Sequence, residues 1–400
     1  MNKLSIRDLN LKGKRVFIRA DFNVPLENDR VADDTRIRAT LPTLKLAMER
    51  GGRLVVASHL GRPKGKPDPK YSLAPVAARL KELLGRPVIF SSGCVGQEAL
   101  SRSQALKDGD LLLLENLRFH AEEEKNDEQF SQQLASLCDN VFVNDAFGAA
   151  HRAHASVVGI TKFVRQAAAG LLMEQELSYL GKALTDPERP FLAILGGAKV
   201  SDKIGVIQNL MRIANAMLIG GAMAYTFFRA RKFTTGKSLV EEDKTALALT
   251  LLGEAREKSF PFILPVDQVL ARSPDGNTQT QIADVTATPA DWMGLDIGPK
   301  TIELFRSEIA EAKMIVWNGP LGMFEKPAFA NGTLAIARTV ADATAAGATS
   351  IVGGGDSVAA VEQAGVANKI SHISTGGGAS LEFLAGQKLP GVEALTSREA

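Results

Sequence analysis

The sequence predicts an α/β protein built of two doubly wound parallel-sheet (Rossmann-like) domains joined by an interdomain helix. Length is the first reason: 400 residues suffice for two domains at about 100–200 residues each. Second, short runs rich in Val, Ile and Leu alternate with helical patterns through both halves, as parallel strands covered on both faces do. The third is a strongly periodic stretch at 167–184. Met173, Leu177, Leu180 and Leu184 repeat there at i, i+4, i+7 and i+11, with Leu171 and Leu172 on the flank. Glu174, Gln175, Ser178 and Lys182 fill the opposite side, so the stretch reads as an amphipathic helix. Asp186-Pro187 ends it, because proline lacks the N–H and pushes the residue before it out of helical geometry. At about 1.5 Å per residue such a helix spans roughly 25 Å, long enough to hold two domains apart.

In chain order, the first half offers strands at 15–20, 53–58, 87–90, 111–115 and 141–144, with helices at 37–50, 74–84 and 127–137. The second offers strands at 191–195, 216–219, 262–265, 314–317, 350–352 and 372–374, with helices at 202–213, 241–258, 301–312, 333–346 and 357–363. Each strand is a compact apolar run, and each helix repeats its apolar residues at helical spacing. The domains therefore divide as 1–170, a joining helix at 171–185, and 186–385. Segment 272–289 is polar and contains Gly and Pro, a loop excursion or a small hairpin. No low-complexity tract or short repeat occurs.

Composition narrows the function classes. Hydrophobic residues at 45% and charged residues at 23% are those of a soluble globular enzyme. A net charge of +2 favours no polyanionic partner, since nucleic-acid binding wants a concentrated basic stripe. Cys94 and Cys138 lack a CxxC neighbour, which argues against a disulfide framework and against zinc. The opening residues, from Met1 to Asp8, contain no apolar signal core, and no run is long enough to span a membrane. A reducing cytoplasm is the expected setting.

In open parallel sheets, ligands bind outside the carboxyl ends of the strands. In the first half those ends carry Asp21 and Asn23, then His59-Leu60-Gly61-Arg62-Pro63, then Asn116-Leu117-Arg118, then Asp145 leading to His151-Arg152. Arg36 opens a helix after the turn Asp33-Asp34-Thr35. Arginine grips carboxylate and phosphate in a bidentate fork. A lone arginine at a strand end is ordinarily a solvated or paired surface residue. Arg36, Arg62, Arg118 and Arg152 at one sheet edge, with His59, instead point to a site for a small, highly charged anion. Asp21 and Asn23 suit a hydroxyl on that ligand. His151 and His154 have no further His or Cys ligands nearby, so a structural or substrate-edge role fits them better than a metal. Cys138, at an apolar helix end, reads as buried packing.

The second half carries glycine where the first carries arginine. Its strand ends are Gly196-Gly197-Ala198-Lys199, Gly220-Gly221, Asn318-Gly319-Pro320, Gly353-Gly354-Gly355-Asp356 and Gly376-Gly377-Gly378. Glycine lets backbone approach a phosphate, and the helix N-termini that follow present free N–H groups. One such cluster is only a tight turn; several, with two lysines, point to a nucleotide. Lys199 and Lys203 lie four apart and are expected on one helical face. Asp356, before Ser357, suits a Mg²⁺ carried by nucleotide phosphates. Thr235-Gly236-Lys237-Ser238 resembles a P-loop end, but Arg231 stands where that pattern needs Gly. The dinucleotide fingerprint fails at Val358, and no protein-kinase H-R-D loop occurs.

Together these motifs resemble the phosphoglycerate kinase family, along essentially the whole chain. The most specific are the run from Val16 to Pro25, Ser58-His59-Leu60-Gly61-Arg62-Pro63, Glu115-Asn116-Leu117-Arg118-Phe119, His151-Arg152-Ala153-His154, Gly196-Gly197-Ala198-Lys199-Val200, Trp317-Asn318-Gly319-Pro320 and Gly353-Gly354-Gly355-Asp356. The resemblance implies that the tail at 386–400 packs back on the first domain. It implies 3-phosphoglycerate or 1,3-bisphosphoglycerate at Asp21, Asn23, Arg36, His59, Arg62, Arg118 and Arg152. It implies MgADP or MgATP at Lys199, Lys203, Gly220, Gly221, Asn318, Pro320, Glu325, Gly353, Gly354, Gly355, Asp356 and Ser357, with Asp356 toward the metal. Arg36, Lys199, Lys203 and the Gly376, Gly377 and Gly378 backbone would surround the moving phosphoryl group. Ala222 departs from the family where many members have a third glycine, and Ala149 where many have threonine.

The implied reaction asks little proton chemistry of the protein. The attacking group is a carboxylate of intrinsic pKa near 3.5–4 and is already ionised at neutral pH. No general base is needed; positioning and charge neutralisation remain. Two sites on two domains must then meet, so hinge closure about the joining helix is expected. A monomer is expected, with no nucleic-acid or membrane partner. The alternative is a non-catalytic, two-lobed anionic-metabolite binding protein. The absent export signal and the two chemically distinct halves argue against it.

Overall fold

The computed structural model describes residues 2–398. The chain forms two compact units: residues up to Ser178 together with those from Lys388 onward, and Tyr179–Gln387.

The first unit is built on six parallel strands: β1 (Arg15–Arg19), β2 (Arg53–Ala57), β3 (Ile89–Phe90), β4 (Leu111–Leu113), β5 (Val141–Asn144) and β6 (Gln166–Ala169), in the order β3-β4-β2-β1-β5-β6. Every pairing is parallel. The central strands are buried along nearly their whole length, which is why they read as continuous apolar runs rather than alternating ones. Helices α1 (Thr35–Glu49), α2 (Ala74–Leu84), α3 (Gln97–Gln104) and α4 (Glu128–Ala135) supply the crossovers. Asp127 caps α4 by accepting the Phe130 amide at 2.8 Å, satisfying one of the donors a helix start leaves free. Residues 388–398 belong to this unit: Leu4 donates to the Thr396 carbonyl at 2.8 Å and Gly391 to the Ala150 carbonyl at 2.8 Å.

The periodic helix is shorter than its sequence pattern. Gln166–Ala169 is a strand paired with Val141–Asn144, and the helix α5 runs Leu171–Thr185. Alanine is an excellent helix former, but a free sheet edge overrides so small a preference by giving each backbone group a partner. Gly170 marks the change, where a Cβ would collide with the Asp145 carboxylate. Asp145 Oδ1 accepts the amides of Leu172 at 2.9 Å and Met173 at 3.2 Å, while Thr43 Oγ1 accepts that of Leu171 at 2.9 Å. The start of α5 is thus capped by other elements rather than by its own preceding residue.

The second unit repeats the plan with β7 (Phe191–Leu195), β8 (Ala216–Ile219), β9 (Phe262–Ile263), β13 (Met314–Asn318), β14 (Thr349–Gly353) and β15 (His372–Ile373), in the order β9-β8-β7-β13-β14-β15. Between β9 and β13 lie β10 (Asp267–Ala271), β11 (Thr280–Asp284) and β12 (Met293–Ile297), a three-stranded antiparallel sheet with β10 in its middle. The excursion expected at 272–289 is therefore the hairpin reading, extended by a third strand. Its crossover helices are α6 (Ile204–Ile213), α7 (Met223–Ala230), α8 (Thr245–Glu257), α9 (Pro299–Glu311), α10 (Asn331–Ala345) and α11 (Gly355–Gln363), and α12 (Gly378–Leu384) follows the last strand. Trp317, Ile194, Phe305 and Ile336 are fully buried in this unit's main cluster. Among the described residues, no helix is long and apolar enough to cross a membrane. Both cysteines are free and buried.

Candidate functional site

At the carboxyl edge of the first sheet, β1 sends the chain one way to β2 while β5 lies on its other side, a switch point of the kind that opens a crevice. Most of the anion-site residues meet here. Arg36 Nη1 donates to Asp21 Oδ2 at 2.8 Å, and Asp21 Oδ1 accepts the Asn23 amide at 3.2 Å. Asn23 Oδ1 accepts the Gly61 amide at 2.9 Å, while Arg118 Nη1 donates to the Gly61 carbonyl at 2.8 Å. His59 is buried, and its pKa is held well below the usual imidazole range by burial first, then by Arg19, Arg118, Arg36 and His154. Arg152 lies half-buried with Nε donating to His151 Nε2 at 3.1 Å. Arg62 stands exposed on the loop after β2, and the structure ties it to none of the others.

Residues that the strand-end argument passed over hold this edge together. Arg19, the last residue of β1, is 1% exposed. Its Nε donates to Ser156 Oγ at 2.8 Å, its Nη2 to His59 Nδ1 at 3.1 Å, and its Nη1 to the Ala20 carbonyl. Glu123, fully buried, accepts the Ser156 hydroxyl at 2.5 Å and the Ser156 amide at 2.9 Å; burial pushes its pKa up while Arg19 pulls it down. His154 Nδ1 lies 3.9 Å from Glu123, yet burial and the guanidiniums of Arg19, Arg118 and Arg152 lower its pKa to about 3. Asn116 joins three loops, accepting from the amides of Leu60 and Arg118 and donating to the carbonyls of Leu60 at 2.7 Å and Tyr71 at 2.9 Å. The overlooked signal was Arg19 itself: arginine inside an apolar central strand needs a buried partner. Among the described residues, no group of three or more His, Cys, Asp or Glu side chains could hold a metal.

In the second unit the strand order is that of a dinucleotide-type sheet, and its switch point falls between β7 and β13. The loops after those strands touch: a Cβ on Gly196 would meet the Pro320 carbonyl, and one on Gly319 the Gly196 carbonyl. Lys203 is buried and donates to the Asn318 side-chain oxygen, and Asn318 Nδ2 donates to the Gly353 carbonyl at 2.9 Å. The Gly319 amide donates to Ser357 Oγ at 2.6 Å. Gly354, at φ 91°, turns the chain into α11, where Asp356 stands exposed in the first turn. Lys199 and Lys203 do not share a helical face. Lys199 is exposed in an irregular loop, and Lys203 closes the 3₁₀ turn Ser201–Lys203 just before α6, because the chain must first leave the crowded Gly196–Pro320 contact. Burial lowers the Lys203 pKa to about 8, against the pull of Asp202 and Asp356. Gly376 donates to Ser374 Oγ at 3.2 Å, and Gly377, at φ 52°, leads into α12 at Gly378.

A cavity of about 470 Å³ opens at this edge, lined among others by Gly197, Gly221, Ala222, Pro320, Glu325 and Asp356. Gly220 faces Leu321, 2.5 Å from where its Cβ would be. Deeper in, Tyr225 donates to Gln268 Oε1 at 2.7 Å, and Gln268 donates to Thr288 Oγ1 at 2.9 Å. Asp296 accepts the amides of Gly332 at 2.7 Å and Ile297 at 2.9 Å, and burial pushes its pKa up to about 7. Tyr225 lies inside α7, and Gln268 and Asp296 on β10 and β12 of the antiparallel sheet, so none sits in a loop directly after a parallel strand and the strand-end rule did not single them out. The two edges differ chemically: one presents guanidiniums and a neutral imidazole, the other backbone amides, glycine and one buried ammonium beside an apolar cavity.

The comparisons with known proteins agree across the length of the chain. The model of the phosphoglycerate kinase family matches residues 6–387. The chain is 61% identical over 407 aligned residues to the phosphoglycerate kinase of Acidobacterium capsulatum, covering 100% of both. It is 61% identical over 406 residues to that of Koribacter versatilis, again covering 100% of both. Its fold matches the phosphoglycerate kinase structure from Coxiella burnetii with a TM-score of 0.88, 39% identity and 98% of each chain covered. The structure from Pyrococcus horikoshii OT3 matches with a TM-score of 0.85, 34% identity and 98% of each chain covered. The chain belongs to the phosphoglycerate kinase family and is a glycolytic phosphotransferase with a carboxyl group as acceptor.

Proposed function

We propose that the chain catalyses 1,3-bisphosphoglycerate + MgADP ⇌ 3-phosphoglycerate + MgATP by in-line transfer, with no general base. The phosphoglycerate would lie on Asp21, Asn23, Arg36, His59, Arg62, Arg118 and Arg152, and the nucleotide on the glycine-lined edge of the second unit. The observation that carries this division is the contrast between the edges. Arg36 and Arg118 converge on the loops holding Asp21, Asn23 and Gly61, while Lys203, Asn318 and Gly353 join three glycine-rich turns beside a cavity of about 470 Å³.

Arg36, Lys199, Lys203 and the amides at Gly376, Gly377 and Gly378 would then neutralise charge on the transferring group, the main task in phosphoryl transfer. Asp356 fits a magnesium ion that arrives with the nucleotide. It is an exposed carboxylate on the cavity wall, and no acidic cluster accompanies it among the described residues, so phosphates and water would complete the shell, as Mg²⁺ prefers. When bound, the ion would supply neutralisation of phosphate charge. The reacting atoms must come within about 3–3.5 Å, and we read α5 as the hinge of the closure that brings them there and excludes water. The enzyme is read as a cytoplasmic monomer.

A coupled assay with 3-phosphoglycerate and MgATP tests the reading directly. Turnover that requires both substrates and Mg²⁺ is the expected result. Tight binding of 3-phosphoglycerate with no turnover would favour the anion-binding alternative instead.

A further inference from the structure

We propose that Arg19 is a positioning residue that locks His59 as a neutral donor, its ligand-side nitrogen Nε2 carrying the proton. The inference deepens the function proposed above and rests on it for the identity of the anion. A guanidinium has donors only. The 3.1 Å contact between Arg19 Nη2 and His59 Nδ1 therefore requires Nδ1 to accept, which places the imidazole proton on Nε2. Nε2 has no protein partner among the described residues, and it is not one of the sealed polar atoms left without one, so it stays open to a ligand.

The direction of every bond behind His59 follows from the same rule. Arg19 Nε donates to Ser156 Oγ at 2.8 Å, and Ser156 Oγ donates to Glu123 Oε1 at 2.5 Å. Glu123, with 0% exposure, is the deep end of this chain and supplies the counter-charge for Arg19, itself 1% exposed. Arg19 is thus the branching point of the chain: its Nη2–H points outward to His59, whose Nε2–H points on to an incoming anion, while its Nε–H and the Ser156 hydroxyl point inward to a carboxylate. The charged and titratable groups facing His59 are Arg19, Arg118, Arg36 and His154. All but His154 are cations, so a second proton on the ring is opposed from each side. The consequence is specific: His59 hydrogen-bonds the anion in the same protonation state across the range where an ordinary histidine titrates, near 6.5.

The test is nitrogen NMR of the full chain with ¹⁵N-labelled histidine, followed from about pH 8 to about pH 5 across the ordinary imidazole pKa. In the free wild-type protein, His59 should show a protonated Nε2 and an unprotonated Nδ1 throughout. A protonated Nδ1, or titration near 6.5, overturns the inference. In the pair variant Arg19→Met/Glu123→Gln, which removes both buried charges together, His59 should lose the fixed tautomer and titrate. The KM for 3-phosphoglycerate should rise roughly tenfold or more near pH 8, as expected for losing an oriented hydrogen bond to a charged ligand, and become pH-dependent while kcat changes less. A folded pair variant with an unchanged tautomer and a flat KM also overturns it. Should that variant not fold, the wild-type spectrum decides alone. Absence of turnover on 3-phosphoglycerate and MgATP would refute the functional reading instead, and the two failures are told apart because the tautomer is read without ligand.

Discussion

Arg36 keeps its guanidinium in a 2.8 Å pair with Asp21 while 34% of its side chain stays in water, whereas Lys203 is 8% exposed. The first is a donor that can be lost without disturbing the core. Arg36→Ala should lower kcat about 10²–10³-fold, the usual effect of removing one donor to transition-state charge, with little change in nucleotide affinity. Under saturating substrates, a fall of less than tenfold would make Arg36 an ordinary surface arginine. Lys203 carries a cost in the free protein. Its folded pKa, about 8, lies below the ordinary 10.5, so the unfolded chain binds more protons between those values and stability rises as pH climbs from about 8 toward 10.5. At about 1.4 kcal/mol per pKa unit, the cost present below pH 8 is at most about 3.5 kcal/mol. Lys203→Met should therefore be inactive yet more stable near pH 7, with the advantage fading toward pH 10 in urea unfolding. Equal pH profiles for the two proteins would mean the ammonium is solvated after all. Arg36 was singled out in the sequence because it opens a helix after a turn, alongside arginines at the strand ends. Arg19 and Glu123 were not, since their meaning lies in an electrostatic pairing, bridged by Ser156, between residues 104 positions apart in the chain.

Among the elements, α5 shows where local pattern stops being informative. Its apolar spacing fixed the helix, but the alanines before it belong to β6 because a partner strand was waiting. The same limit explains α7, whose buried Met223, Ala224, Tyr225, Phe227 and Phe228 lack the polar face that marks a surface helix. Apart from β6, the strands of both parallel sheets were read to within about two residues, since burial on both faces leaves an unbroken apolar run. Asp145 is the element-level feature that sequence could not supply: a residue at the end of β5 capping a helix that begins 26 residues later. Asp145→Ala should cost about 1 kcal/mol, as the loss of an N-cap does. Hydrogen exchange should quicken first at the amides of Leu172 and Met173, with the sheet strands still protected. Uniform loss of protection across the first unit would show that Asp145 supports the sheet rather than the helix start.

At the scale of the whole molecule, the proposed closure should need both ligands, since a ligand that binds one unit alone gains nothing from the closed state. Small-angle scattering should show the radius of gyration shrinking most with 3-phosphoglycerate and MgATP analogue together. Identical scattering in the free, binary and ternary states would rule out the hinge. Leu177 and Leu180 are 7% and 1% exposed, and replacing either by Ala, at about 2–5 kcal/mol, should blunt the change more than it weakens either ligand.

The first unit is discontinuous: it needs residues from Lys388 onward as well as those up to Ser178. Thr396 accepts from Leu4 through its carbonyl and from Ala167 through its side chain, at 2.8 Å and 3.0 Å, so the sheet's last edge is finished by nearly the last described residues. During synthesis, the ribosome delivers all of Tyr179–Gln387 before it delivers those bonds. The unit translated second can reach its native state first, while the one translated first waits with its edge strand unsealed. A released chain ending at Gln387 should accordingly resist protease in 179–387 and be cut in the earlier half, an inversion of the usual N-terminal-first order.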